Sequence, residues 1–200
     1  MSVRHWFGPH GKSSKGQGHP IMYGRPKAAL HFDAFPDGGG YPHRFLEWAF
    51  EMMGVSDPSC VLHLCSGSVR SGITVDIRPE TGAQIVADCR KTGLADESFD
   101  FILADPPYAA DYAENLYGTG VVYPKPGEIL AEAGRLLRPG GQVGLLHFIV
   151  PMPRKPLKIV GVWGVTTGAG YAIRAWTLLK KESPPYNNSL EFTPRAGGSG

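Results

Sequence analysis

The stretch Phe99-Asp-Phe-Ile-Leu-Ala-Asp-Pro-Pro-Tyr108 constrains this chain more than any other. Its apolar run of bulky residues reads as a buried strand. Two successive prolines cannot donate to a ladder, so the strand must stop there. It therefore delivers a carboxylate (Asp105), a rigid Pro106-Pro107 turn and the Tyr108 ring to its carboxyl end. In an open α/β sheet, ligands bind at that edge, near the place where strand order reverses.

The rest of the chain supplies neighbours for such a strand. Cys60-Val-Leu-His-Leu-Cys65 is a short apolar strand followed by Ser66-Gly67-Ser68. Ile73-Thr-Val-Asp76-Ile77 is a second strand and Ala83-Gln-Ile-Val-Ala-Asp88 a third, each running into an acid; residues 100–104 form the fourth. Phe45, Leu46, Ala49, Phe50 and Met53 recur at helical spacing, with Gly54 placed to end the helix. A second helix is expected over Gly127–Leu137, closed by Arg138-Pro-Gly-Gly141, and a fifth strand over Gln142–Val150. Leu157–Thr166 and Tyr171–Leu179 alternate as an antiparallel pair around Thr167-Gly-Ala-Gly170.

Asp105-Pro-Pro-Tyr108 resembles the catalytic tetrapeptide of the amino-methyltransferases, which use S-adenosylmethionine to methylate exocyclic amines, above all adenine N6 or cytosine N4 in DNA. The Gly loop after the first strand and the acids after the second, third and fourth are similar to the class I methyltransferase pattern, as is Leu-Leu-Arg-Pro-Gly-Gly141 before a strand. The resemblance covers about residues 31–181 and implies a single-domain Rossmann-like fold with a seven-stranded, mostly parallel sheet and a C-terminal antiparallel hairpin. It implies that S-adenosylmethionine contacts His63, Cys65, Ser66, Gly67, Asp76, Ile77, Asp88, Cys89 and Asp105. Asp76 would accept from the ribose hydroxyls and Asp88 would receive the adenine amine. The helix from Tyr41 to Met53 resembles the one whose start helps hold the methionine end of the cofactor in those enzymes.

Three departures from that pattern stand out. His63 replaces an acid usual in the first strand, Val69 replaces the second glycine of the loop, and only about six residues separate Gly67 from the second strand, where a crossover helix is expected. Val150-Pro-Met-Pro-Arg-Lys-Pro156 likewise replaces the helix after the fifth strand. Fewer helices than usual are therefore expected, leaving a sheet face to be covered by the N-terminal arm or by a second copy in a homodimer.

The catalytic residues implied are Asp105, Pro106, Pro107 and Tyr108. An exocyclic amine is a poor nucleophile because its lone pair is delocalised into the ring. Acceptors on its two protons, here the Asp105 carboxylate and the Pro106 carbonyl, favour a pyramidal nitrogen and free that pair, and the prolines preorganise them. Tyr108 can stack on the base. Duplex DNA buries such amines, so a DNA enzyme must flip the base or act on single strands.

Charge distribution fits a polyanionic partner. Residues 1–32 hold five Lys/Arg and no acid, 33–132 hold six against sixteen acids, and 133–200 hold nine against two, with no acid between Ala133 and Lys181. Basic flanks around an acidic middle suit nucleic acid, with DNA the first expectation. Guanine N2 in structured RNA, a small-molecule amine, and a cofactor-binding module without turnover are the alternatives. Cys60, Cys65 and Cys89 lack metal-ligand spacing and read as reduced thiols of a cytoplasmic protein. No metal is expected, and neither a membrane span nor a signal peptide. Gly11-Lys12-Ser13 lacks the upstream glycine of a phosphate loop. Residues 1–30 are expected to be a basic arm, 31–182 the methyltransferase domain and 183–200 an extended tail, with the loop 109–126, rich in Tyr and Gly, beside the reactive centre.

Overall fold

A computed structural model describes residues 41–183 apart from 43, 110–122 and 167–171. The arm expected over 1–30, most of the 109–126 loop, the Thr167–Gly170 turn and the tail from 184 onward lie outside the described residues. The described elements run α1 (Phe45–Met53), β1 (Leu62–Leu64), β2 (Ile73–Asp76), β3 (Ile85–Val86), β4 (Phe99–Ala104), α2 (Pro126–Leu136), β5 (Leu137–His147), β6 (Leu157–Val165) and β7 (Arg174–Lys181). Among the described residues no helix is long and apolar enough to cross a membrane.

The seven strands form one sheet in the order β3-β2-β1-β4-β5-β7-β6. β1 to β5 pair in parallel, and β7 is antiparallel to both β5 and β6. This is the seven-stranded, mostly parallel sheet with a closing antiparallel hairpin that the resemblance implied, with two α-helices among the described residues. From β1 the chain builds outward to β2 and β3 on one side, then returns to place β4 and β5 on the other. The reversal point, where such sheets bind ligands, thus lies between the carboxyl ends of β1 and β4.

Alternation along the strands sorts side chains to two cores. Ile102 and Ala104 of β4 join Leu62, Leu64, Val75, Val143 and Leu145 under Ile129, Leu130, Ala133 and Leu136 of α2. Leu103 faces the other way and joins Leu146, Leu178, Trp163 and Trp176 under Phe45, Ala49 and Met53 of α1. Among the described residues each face therefore carries one α-helix. The exposed large apolar side chains Phe148, Ile149, Val150, Met152 and Ile173 belong instead to the segments just past β5 and just before β7.

The missing crossover helix has a physical explanation. β1 has three residues, so the chain has little distance to recover before starting a parallel β2. The loop 65–72 does this, pinned where Ile73 N–H donates to Val61 O (2.9 Å) and Ser66 N–H to Val75 O (3.0 Å). Val69, 7% exposed, packs into the α1-side core from this loop. Gly72 turns the chain at φ +72°, and a Cβ there would lie 2.4 Å from the Val61 carbonyl oxygen. The loop fits against β1 only with glycine at that point.

Boundaries differ from expectation at α2 and β5. The helix ends at Leu136, and Leu137 is already extended (φ −71°, ψ 138°). Arg138-Pro-Gly-Gly141 therefore lies inside β5, and Leu137 pairs with Phe99 ahead of a register shift.

Candidate active site

Four strand ends present the expected site residues along one edge. Cys65, Ser66 and Gly67 follow β1, Asp76 closes β2, Asp88 and Cys89 follow β3, and Asp105 follows β4. Pairing of β3 with β2, β2 with β1 and β1 with β4 makes these ends neighbours. Cys65 lies at the centre of the group. Its backbone takes the left-handed conformation (φ 55°). A hydrogen bond with Cys89, then burial, then the nearby Asp76 and Asp105 carboxylates hold its thiol well above the ordinary cysteine range.

Asp76 is buried and already engaged. Its Oδ2 accepts from Gly67 N–H at 2.9 Å, which ties the β1 loop to the end of β2. Its Oδ1 accepts from Arg78 N–H at 3.0 Å and Arg78 Nε at 3.2 Å. Asp88 repeats the arrangement two residues before Arg90, accepting from Arg90 N–H at 2.9 Å and from Nε at 3.0 Å on both oxygens. The Arg90 hydrogen bond outweighs partial desolvation and lowers the Asp88 pKa. The segment after Asp88 is moored to α2: Glu132, 6% exposed, accepts from Thr92 N–H (2.8 Å), Thr92 Oγ1 (2.7 Å) and Arg135.

At the end of β4 the Tyr108 hydroxyl donates to Asp105 Oδ1 at 2.6 Å. Arg174, at the start of β7 and 4% exposed, donates from Nη1 to the Tyr108 oxygen at 3.0 Å. Desolvation pushes Asp105 up to about 7, against the lowering effects of the Tyr108 bond and the Arg174 charge. Burial and then the Asp105 charge raise Tyr108, so its hydroxyl stays protonated. The Tyr108 ring is walled by two residues at the end of β5: His147 meets it edge-on (5.5 Å, 87°) and Phe148 at a tilt (4.5 Å, 41°). His147 Nδ1 accepts from Ile149 N–H at 3.2 Å, and Nε2 lies 3.3 Å from the Tyr123 hydroxyl. Burial lowers the His147 pKa. Pro106 is buried and Pro107 half-buried.

Other expected contacts fall differently. His63 is fully buried on the α1 side, meeting Tyr41 and Phe50 edge-on, and neither ring nitrogen has a partner among the described residues. Burial lowers its pKa to about 4. Ser66 Oγ is buried and also unpartnered among the described residues. Ile77 is 46% exposed beside Asp76. Among the described residues no group of His, Cys, Asp or Glu could hold a metal ion.

One residue of the site carried no signal in the sequence, and a second only a coarse one. Arg174 lies 66 positions from Tyr108, and only the β5-β7 pairing brings them together. Tyr41, stacked on Phe45 (5.3 Å, 5°), has a buried hydroxyl without a partner among the described residues. Burial, followed by the Asp105, Cys65 and Tyr108 side chains, raises its pKa well above the tyrosine range. The helix expected from Tyr41 starts at Phe45, so the segment start that the resemblance gave to the methionine end places Tyr41 just ahead of α1. Beside it, Pro42, Arg44, Leu46, Glu47, Ser68, Val69, Arg70 and Ser71 complete the lining of an open cleft of about 320 Å³ between α1 and the β1 loop.

No protein-family model and no curated protein sequence matches the chain. Solved structures with a similar backbone include TrmN from Thermus thermophilus (18% identity, TM-score 0.47, 68% of this chain and 47% of that one). The putative methyltransferase yhhF from Escherichia coli is similar at 10% identity and TM-score 0.45, over 70% of this chain and 86% of that one. So is the Burkholderia thailandensis 1,6-didemethyltoxoflavin-N1-methyltransferase with bound 1,6-didemethyltoxoflavin and S-adenosylhomocysteine, at 14% identity and TM-score 0.45, over 69% of this chain and 78% of that one. The chain spans about half the length of TrmN. Likenesses at this level leave the chemistry to be argued from the chain's own residues.

Proposed function

We propose that this chain is an S-adenosylmethionine-dependent methyltransferase acting on an exocyclic amine of a nucleobase, with adenine N6 or cytosine N4 in DNA as first candidates. The observation that carries the reading is the Asp105–Tyr108 hydrogen bond at the strand-order reversal, walled by aromatic rings. A carboxylate beside a stacking surface, on a proline-fixed turn, is what an amine acceptor requires.

The fit of the cofactor can be tested on the residues present. Buried hydroxyls of Tyr41 and Ser66 without partners among the described residues are donors and acceptors for a polar ligand at the mouth of the β1 loop. Such groups are costly to leave unsatisfied. Asp76 and Asp88 suit ribose and adenine, and each would exchange its clasping Arg78 or Arg90 contact for the ligand. Cys65, Ser66, Gly67, Ile77 and Cys89 line the same edge, and Tyr41 would hold the methionine end. The bound cofactor supplies a methyl group on positively charged sulfur, so no strong general base is needed. Asp105 would accept one amine N–H while keeping the Tyr108 hydroxyl on Oδ1, and Tyr108, His147 and Phe148 would set the height of the base. The methylated nitrogen would be acidic, and its proton would leave through Asp105 to solvent.

The basic N- and C-terminal flanks would grip the phosphate backbone. A cofactor-binding module without turnover is the second reading, and the departures at His63 and Val69 favour it. Transfer of tritiated methyl to DNA, RNA and free nucleosides, with Asp105→Ala as control, separates these readings. Label in DNA that depends on Asp105 supports the first candidates, label in RNA alone moves the substrate to guanine N2, and cofactor binding without label in any acceptor favours the module.

A further inference from the structure

We propose that Arg174 is a positioning residue for the Asp105-Pro-Pro-Tyr108 motif: from the start of β7 it reaches through the Tyr108 hydroxyl and fixes the Asp105 carboxylate and the Tyr108 ring in one geometry. The inference rests on the reading of Asp105 as an amine acceptor and extends it to a residue in a different part of the fold.

Three observations carry it. Arg174 is 4% exposed, and a buried guanidinium is retained only where its charge is used. Its Nη1 donates to the Tyr108 oxygen at 3.0 Å, and that hydroxyl donates onward to Asp105 Oδ1 at 2.6 Å. Its guanidinium carbon also lies 6.0 Å from the Tyr108 ring centre, so charge and ring are held together. The placement is built into the sheet, because Arg174 opens the strand whose next residues pair with the end of β5: Ala175 lies opposite His147, and Trp176 opposite Leu146.

The polarity of the chain is informative. Tyr108 has a single proton, and it points at Asp105, so its oxygen lone pairs are left for Arg174. This direction favours an ionised Asp105, since the carboxylate receives the donated proton and lies near a fixed positive charge. Among the described residues, the other groups that face Asp105 bring no competing charge near neutral pH. Tyr41, ahead of α1, and Cys65, after β1, are both held in their protonated forms. His147, from β5, is pushed toward its neutral form. Among the described residues Arg174 is thus the group that opposes desolvation of Asp105 from outside its own loop.

The test reads Asp105 directly. The carbon-13 chemical shift of its carboxyl, followed against pH in the full chain without ligand, is expected to have a midpoint of about 7 in the wild type. In Arg174→Gln the midpoint is expected to rise by about one pH unit, while Arg174→Lys, which keeps the charge, stays within about half a unit of the wild type. Tyr108→Phe, which cuts the relay without touching Arg174, is expected to raise the midpoint as well. It serves as the deciding variant if Arg174→Gln fails to fold. In methyl-transfer assays the acid limb of kcat should follow the same order, with the KM for the methyl donor unchanged. A midpoint in Arg174→Gln or Tyr108→Phe equal to that of the wild type overturns the inference. The carboxyl titration needs neither cofactor nor substrate. Shifted midpoints in a protein that transfers no methyl group therefore uphold the relay and reject the enzymatic reading instead.

Discussion

Asp105→Asn is expected to make this protein more stable at mildly alkaline pH while impairing the proposed methyl transfer. In the folded chain desolvation raises Asp105 to about 7, whereas an unfolded aspartate titrates near about 3.9. Between these values the folded state keeps a proton that the unfolded state has lost, so stability falls as pH rises through that window and levels off above it. From about pH 5 to about pH 8 the penalty spans roughly two pH units at about 1.36 kcal/mol each, or about 2.7 kcal/mol. Asp105 keeps a partly open face, which reduces the expected loss to about 2 kcal/mol. The asparagine variant has no proton to lose and escapes it. Urea unfolding of both proteins at the two pH values gives the difference, in which every other titrating group cancels. If both lose stability in parallel across the window, Asp105 does not carry the strain assigned to it.

The remaining predictions concern other parts of the site and fold. His63, buried with both nitrogens unpartnered among the described residues and lowered to about 4, opposes folding at acid pH. His63→Leu should remove a loss of about 2–3 kcal/mol between about pH 6.5 and pH 4, read as a flatter stability curve; an unchanged acid slope would count against that burial. Gly72→Ala places a Cβ 2.4 Å from Val61 O, whereas Gly82, with similar φ, has open space. Urea unfolding should therefore show a loss of about 2–4 kcal/mol for Gly72→Ala and about 1 kcal/mol for Gly82→Ala, and equal losses would refute the tight loop-to-β1 packing. Asp76→Asn cannot accept from Gly67 N–H with the same strength. Calorimetric titration with S-adenosylmethionine should show about a tenfold or greater loss of affinity, and an unaltered affinity would remove Asp76 from the cofactor site.

Much of this arrangement was legible in the chain because it is local. Each of Asp76, Asp88 and Asp105 follows its own apolar run, so strand ends and acids could be read together, and Asp105-Pro-Pro-Tyr108 encodes its turn in its prolines. The short β1-to-β2 connection was countable, although its consequence, Val69 packed beneath α1, was not. What escaped depends on pairing between distant segments. Arg174 reads as one more base in a basic stretch until β7 inserts between β5 and β6. The Arg78 and Arg90 clasps are local in sequence, yet Asp-x-Arg has no periodic signature that separates a clasp from two solvated charges. The start of β5 was misplaced because Pro and Gly at 139–141 read as a stop, while pairing across to Phe99 overrides that preference.

The central claim is that a bound methyl donor and a target amine meet at Asp105. A single-turnover experiment that measures S-adenosylmethionine binding and methyl transfer to DNA in the same samples, for wild type and Asp105→Asn, tests it most directly. The account predicts that both proteins bind the donor and that, at saturating donor, the rate of methyl transfer falls by about a hundredfold or more in the variant. Failure of the wild type to bind the donor, or equal transfer rates in the two proteins, would contradict it.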